Sequence, residues 1–353
     1  MKILIIQQKM IGDVLTSSIL FEAIKHQYPN AQLHYVINDH TYPVVQGHPY
    51  IGKFHFFTKE HRGNIFKLLQ FVFAIRRERF DVIIDVYSKL SSNLMTLFSS
   101  AQIKISKQKW YTSFIYNYTF RELRHANTNA GIAIENRLQL LQPINIDFAK
   151  AVKPKIYLTQ AEKNSAKNFL EDKGINFDDP IFMISVLGSG FNKTYPFAYM
   201  AEVIDNIAAQ FPKSQILFNY IPSQREQAKS IFDLCKSGTQ HNIHFNIFGN
   251  SIREFLAISS YCKALIGNEG GAINMAKALD IKTFAIYSPW ISKEVWSVFE
   301  DGKHHVSVHL KDFKPNLFKN DDAKSVKKNA LMYYKEFSPN LMIPKLKEFL
   351  KNI

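Results

Sequence analysis

Residues 1–30, MKILIIQQKMIGDVLTSSILFEAIKHQYPN, decide the fold. The run from Lys2 to Ile6 has the length and apolar continuity of a buried parallel strand, and it leads straight into a turn whose polar tip is Gly12-Asp13. An amphipathic helix follows, carrying Val14, Leu15, Ile19, Phe21, Ala23 and Ile24 before Pro29 ends it. Strand, turn and helix make the first half of a βα unit. Where such a turn cradles phosphate it carries several glycines; here it has one glycine and a carboxylate. Two readings of Asp13 follow. It can be the N-cap of the helix, accepting from the amide of Leu15 or Thr16, or it can be a carboxylate at a ligand cleft, placed to take a proton from a substrate hydroxyl.

The same alternation continues outward from this unit. AQLHYVIN and FDVIIDVY read as strands, with weaker ones at GKFHFF and QIKIS, and each is separated from the next by a helical pattern. After KPKIYLTQAEK a second series begins: PIFMISVLGS, SQILFNYIP, NIHFNIFG, KALIGNEGG and KTFAIYSP. A helix-rich connection containing GIAIENRLQLLQPINI joins the two series. A chain of 353 residues is too long for one ordinary core, so two α/β domains are expected, with the boundary between residues 150 and 160 near Lys153-Pro154. The expected division is 1–155, 156–335 and a final amphipathic helix, 336–353, that can pack back across the hinge onto the first domain.

Composition is that of a globular protein, 46% apolar and 21% charged. No apolar run reaches the roughly 18 to 20 residues of a membrane-spanning helix, and the N-terminus enters a strand rather than a signal sequence, so a cytoplasmic protein is expected. Cys235 and Cys262 are too few for a disulfide framework and read as reduced, buried small hydrophobes. The formal net charge of +14 calls for an anionic partner. The lysines are scattered rather than gathered in a nucleic-acid motif, and no nucleic-acid partner is expected. Their local concentration is KISKQKWYTSFIYNYTFRELRHA, Lys104 to Ala126, where cations alternate with Trp110, Tyr111, Phe114, Tyr116, Tyr118 and Phe120. That mixture suits a lipid headgroup interface; it also suits a helix packed on the core with a solvated basic face.

Two further stretches have ligand-binding character. In LGSGFNKTYPFAYMAEVI (Leu187 to Ile204) a strand ends in Gly188-Ser189-Gly190, small enough for a phosphate to approach the backbone, and Lys193 follows. A plain βα turn has the same appearance. In ALIGNEGGAINMAKALDIKTFAIYSP (Ala264 to Pro289) a strand ends at Asn268-Glu269, and Gly270-Gly271 opens a helix whose bare amides form an anion site beside a carboxylate able to bind hydroxyls.

Together these pieces, with FDVIIDVYSKLSSNLMTLFS, GIAIENRLQLL and IFGNSIREFLAISSYCKALIGNEGGAINMAKALDIKTFAIYSP, resemble glycosyltransferase family nine, the heptosyltransferases of lipopolysaccharide core assembly, over nearly the whole chain and in order. The resemblance implies a GT-B architecture, two Rossmann-like doubly wound domains facing across a cleft, acceptor on the first and nucleotide-sugar on the second. It implies an inverting transferase in which Asp13 is the general base and Lys193 neutralises the leaving diphosphate. Ser189, Gly190, Glu269, Gly270, Gly271 and Asn274 would complete the donor site, with Gln224 or nearby Glu226 at the position that contacts the nucleotide. The donor implied is ADP-heptose and the acceptor an anionic glycolipid, met by Gly12 and by Lys104, Lys107, Lys109, Arg121 and Arg124 on a protein lying peripherally at the cytoplasmic face of the inner membrane. No D-x-D motif occurs, so no metal or other cofactor is expected. The chain departs from the family pattern where Glu269 replaces an aspartate, Gly270 a small hydroxyl residue and Asn274 a histidine, which changes the groups that read the sugar. A sugar-nucleotide epimerase of the same fold, or a catalytically degenerate relative, is the alternative.

Overall fold

The computed structural model describes residues 1–146, 153–319 and 321–353, which divide into two units, Met1–Tyr157 and Leu158–Ile353. The part of the expected boundary at 150–152 lies outside the described residues.

The first unit holds six parallel strands: β1 (Lys2–Ile6), β2 (Gln32–Asn38), β3 (Lys53–Phe57), β4 (Val82–Asp85), β5 (Ile103–Lys107) and β6 (Tyr118–Phe120), in the order β3-β2-β1-β4-β5-β6. Ile3, Leu4, Ile5 and Ile6 are wholly buried, as a central parallel strand covered on both faces requires. Chain order reverses between β1 and β4, and ligands of doubly wound sheets bind at such a point, beyond the carboxyl ends of the strands. Asp13 follows β1 there.

The second unit holds β7 (Ile181–Ser185), β8 (Gln215–Phe218), β9 (Ala264–Asn268), β10 (Lys282–Ile286) and β11 (His305–Val308), again all parallel, in the order β11-β10-β9-β7-β8. Its reversal lies between β7 and β9. The glycine turn Gly188–Gly190 follows β7 and Glu269-Gly270-Gly271 follows β9, so both candidate donor stretches open at one switch point. Each unit is Rossmann-like.

The structure departs from the expectations of the sequence in several places. The first helix is two, Ile11–Ser17 and Ile19–Gln27, broken where Ser18 Oγ turns back to donate to Leu15 O at 2.8 Å. NIHFNIFG contributes one bridge, Ile243 to Ile216, rather than a strand; Phe245 packs instead against Tyr220 and Phe232. Lys104 to Ala126 is not a helix but β5, a single 3₁₀ turn at Ser113–Ile115, and β6. The final helix, Pro339–Leu350, for which the sequence leaves a return to the first domain open, buries Met342, Leu346, Phe349 and Leu350 in the second unit's core and packs on the helix Phe197–Gln210. Cys235 and Cys262 are buried free thiols that burial pushes up, Cys235 to about 12. No described helix is long and apolar enough to cross a membrane.

Candidate functional site

In the first unit Asp13 is not the N-cap. The helix begins at Ile11 with Met10 as its cap residue, and Asp13, three positions on, reaches back so that Met10 N–H donates to Oδ2 at 3.4 Å. Its other oxygen, Oδ1, accepts from Arg137 Nη2 at 2.8 Å. Arg137 belongs to the helix Ile132–Leu138 and is buried; Nε donates to Ser17 Oγ at 2.9 Å and Nη1 to Ala133 O at 2.6 Å. The guanidinium is held on three sides, and the carboxylate it grips is held by two contacts, one from Arg137 and one from Met10 N–H. The Asp13 side chain nonetheless stays 24% exposed to solvent.

Arg137 escapes a reading of the sequence, although it stands inside the quoted GIAIENRLQLL. The signal for it is an arginine in an otherwise apolar helix, a residue type that is buried only when partnered. Gln8 escapes as well: it is 2% exposed, its Oε1 accepts from Ser91 Oγ at 2.6 Å, and its Nε2 has no hydrogen-bond partner among the described residues. In FDVIIDVYSKL, Asp85 is a buried structural carboxylate, raised by burial and accepting from Tyr116 OH at 2.6 Å and Ser88 N at 2.7 Å.

The expected acceptor residues do not all gather at this edge. Gly12 adjoins Asp13 in the first helix. Lys107 ends β5 and pairs with Glu122 at 3.0 Å, Lys109 donates to Ser88 O, and Arg121 and Arg124 follow the carboxyl end of β6, with Arg121 Nε on Gln108 Oε1 at 2.9 Å. Lys104 lies near the amino end of β5 and points away from the others, its Nζ 3.4 Å from Ser99 O in the turn that precedes the strand. Trp110 is 91% exposed and Phe114 79%, and Phe66 and Leu90, on the first turns of helices Ile65–Arg77 and Leu90–Phe98, are exposed too. All four follow the carboxyl ends of β3, β4 or β5, the edge that carries Asp13.

In the second unit the turn after β7 is locked tightly. A Cβ at Gly188 would stand 2.2 Å from Lys193 O, so only glycine lets the loop fold back on itself. Gly188 N donates to Thr194 Oγ1 at 3.0 Å, and Thr194 Oγ1 donates to Gly190 O at 3.0 Å. Ser189 and Gly190 are exposed at its tip. Gln224 approaches the loop with Nε2 3.4 Å from Gly188 O. Glu226, two residues on, lines a separate hollow of about 460 Å³ with Arg225, Lys229, Phe232, Phe245 and Asn246.

Across the switch point, Asn268 Oδ1 accepts from Tyr195 N at 2.7 Å while its Nδ2 donates to Ser185 O at 2.9 Å, tying β7, β9 and the glycine turn together. Lys193 Nζ lies 3.4 Å from Glu269 Oε1 in an ion pair that lacks hydrogen-bond alignment, and that buried oxygen has no hydrogen-bond partner among the described residues. Gly270 caps the helix Gly271–Ala278 with φ +146°, a conformation open to glycine, and no atom lies within 4 Å of where its Cβ would be. Asn274 sits one turn in and is half-buried. A lysine, a bare glycine turn and helix-terminal amides converge here, an arrangement suited to a diphosphate.

His34, His55 and Glu78 also bring three potential metal ligands within 4.8 Å of one another. They stand toward the amino ends of the first sheet's strands, and both Glu78 oxygens are taken, one by Lys2 at 2.6 Å and one by Lys53. Two ammonium groups already fill the positions a cation would occupy.

The family model of glycosyltransferase family 9 (heptosyltransferase) matches residues 68–325. The chain belongs to this family. Lipopolysaccharide heptosyltransferase 1 of Campylobacter coli is 22% identical over 296 residues, 81% of this chain and 84% of that protein. The structure of E. coli ADP-heptose lps heptosyltransferase II superposes with a TM-score of 0.73 at 16% identity, covering 99% of each chain. E. coli heptosyltransferase WaaC with ADP-2-deoxy-2-fluoro heptose gives a TM-score of 0.61 at 17% identity, covering 96% of this chain and 99% of that one. The fold is that of the GT-B glycosyltransferases, and this family-9 chain is a glycosyltransferase.

Proposed function

We propose that the chain is an inverting, metal-independent transferase that moves heptose from ADP-heptose to a glycolipid acceptor of the lipopolysaccharide core type. The observation that carries this reading is the opposite chemistry of the two switch points: a carboxylate clamped by a buried arginine in one, a lysine with bare amides in the other. Asp13 takes the proton of the acceptor hydroxyl as its oxygen attacks the anomeric carbon. The bond from that carbon to the diphosphate oxygen breaks, and its electron pair leaves with ADP. Lys193 and the amides after Gly270 offset the charge gathering on the diphosphate. With lysine and amides in this role, and no D-x-D motif in the sequence, the reaction requires no metal bridge.

An acceptor at an anionic membrane surface is supported by charge and exposure. Residues 1–157 carry 20 Lys and Arg against 10 Asp and Glu, net +10, whereas residues 158–353 carry 24 against 20, net +4. The exposed Trp110, Phe114, Phe66 and Leu90 stand on the more basic unit, at the edge that holds the proposed base. The test is transfer from ADP-heptose to purified core glycolipid in excess EDTA, with the new linkage read by NMR. Transfer with inverted anomeric configuration is expected; retention, or loss of activity with the chelator, contradicts the reading.

A further inference from the structure

We propose that Lys327, from the helix Ala323–Lys328, is a second diphosphate-binding cation of the donor site, gathered with Lys193 around the Trp290 ring, and that it makes the site prefer diphosphate over monophosphate. The inference rests on the reading of the second unit as the donor unit. It concerns a residue far along the chain from the glycine turn and from Glu269.

The platform is Trp290. Its Nε1 donates to Asn192 O at 3.0 Å, and Ser288 Oγ donates to the same oxygen at 2.7 Å, so the turn after β10 is fastened to the residue preceding Lys193. Lys193 Nζ lies 5.3 Å from the indole centroid and Lys327 Nζ 4.5 Å. Both ammonium groups are therefore within cation–π range of one ring and within about 10 Å of each other. The indole attracts each ammonium without neutralising it, so both charges stay available to an anion.

The neighbouring acids do not offset both. Asp322 is occupied as the helix cap, its Oδ1 accepting from Ser325 N at 2.8 Å, and Asp321 accepts from Ser325 Oγ at 2.7 Å and from Tyr333 OH. Glu269 faces Lys193. Lys327 has no acidic partner among the described residues, and its side chain is exposed and able to reach a ligand. Glu269, whose side chain is 9% exposed, offsets one ammonium charge; its Oε1, without a hydrogen-bond donor among the described residues, calls for a hydroxyl rather than a phosphate. Two ammonium groups against one carboxylate leave a net positive site. A diphosphate has charge on two phosphorus centres and can engage both lysines at once; a monophosphate engages one.

Calorimetry of ADP, AMP and inorganic pyrophosphate on the wild-type protein, Lys327→Gln and Lys327→Arg decides it. The expected result is that Lys327→Gln weakens ADP and pyrophosphate about tenfold, leaves AMP within about twofold, and is largely rescued by Lys327→Arg. Unchanged pyrophosphate and ADP affinity in Lys327→Gln overturns the proposal, as does an equal loss for AMP. Should ADP fail to bind while pyrophosphate binds in a Lys327-dependent way, the adenine donor assignment falls and this inference stands.

Discussion

The two units share a topology and differ in what they place at its break. In both, a parallel sheet reverses chain order beside its first strand, β1 in one and β7 in the other. The first unit fills that position with a carboxylate and backs it with an arginine from 124 residues away. The second fills it with glycines, a lysine and a helix N-terminus. On the proposed reading one scaffold presents a proton acceptor and, in its other copy, an anion receptor. The difference lies in a few turn residues and in no element of the fold, which is why fold alone does not fix function.

The comparison breaks most sharply at Asp13. Asp13→Asn keeps the shape and, with its single oxygen, one of the two contacts to Met10 and Arg137, but removes the proton acceptor, so transfer should fall ~100-fold or more while ADP affinity stays within twofold. Steady-state kinetics and calorimetry on the same preparation measure both. Retained transfer would remove Asp13 from the chemistry.

Arg137 sharpens it next. Lysine in its place keeps a cation but cannot satisfy Ser17 Oγ, Ala133 O and Asp13 Oδ1 together. Arg137→Lys should lower kcat about tenfold with the KM for the donor unchanged, the mark of a residue positioning the base rather than holding the nucleotide. A rise in donor KM with kcat intact would instead place its influence on donor binding.

Much of this architecture is legible in the amino-acid sequence itself. The strands that both faces bury, Lys2–Ile6, Ile181–Ser185 and Ala264–Asn268, are continuous apolar runs, and their turns carry the glycines and charges in order. The edge strand β11 is not, because four residues of HVSV beside two histidines leave no periodicity to detect. NIHFNIFG alternates like a strand, yet its aromatics serve a ring cluster with Tyr220 and Phe232. Asp13 stands out as a special residue but not as the third residue of its helix, since a carboxylate fits either the cap or the position that reaches back to it. The Arg137 clamp, Lys327 and the seat of the final helix depend on tertiary contacts between segments distant in sequence. Local pattern carries no trace of those.

Smaller effects separate the units further. Replacing Trp110 and Phe114 by serine should weaken binding to vesicles containing anionic phospholipid severalfold without changing ADP affinity, as cosedimentation would show. Equal sedimentation of wild type and variant would take the membrane contact away from this edge.

Acid should weaken the first unit gradually. His34 Nδ1 and His55 Nε2 are 3.0 Å apart beside Lys2 and Lys53, and burial first, then neighbouring positive charge, holds His34 below its ordinary value and His55 down at about 4. The folded pair stays neutral where unfolded histidines begin to bind protons, so stability present above pH 6.5 is lost as pH falls toward about 4. Replacing His55 by glutamine should flatten that decline in a series of thermal melts; an unchanged slope would show that other groups govern it.

The most direct test of the division of labour is calorimetric titration of ADP and other nucleoside diphosphates into the metal-free protein and into Lys193→Ala. The account predicts selective ADP binding that weakens ~10-fold or more in the variant, while Asp13→Asn binds as wild type does. Binding that ignores Lys193, or that fails for every nucleoside diphosphate, would contradict it.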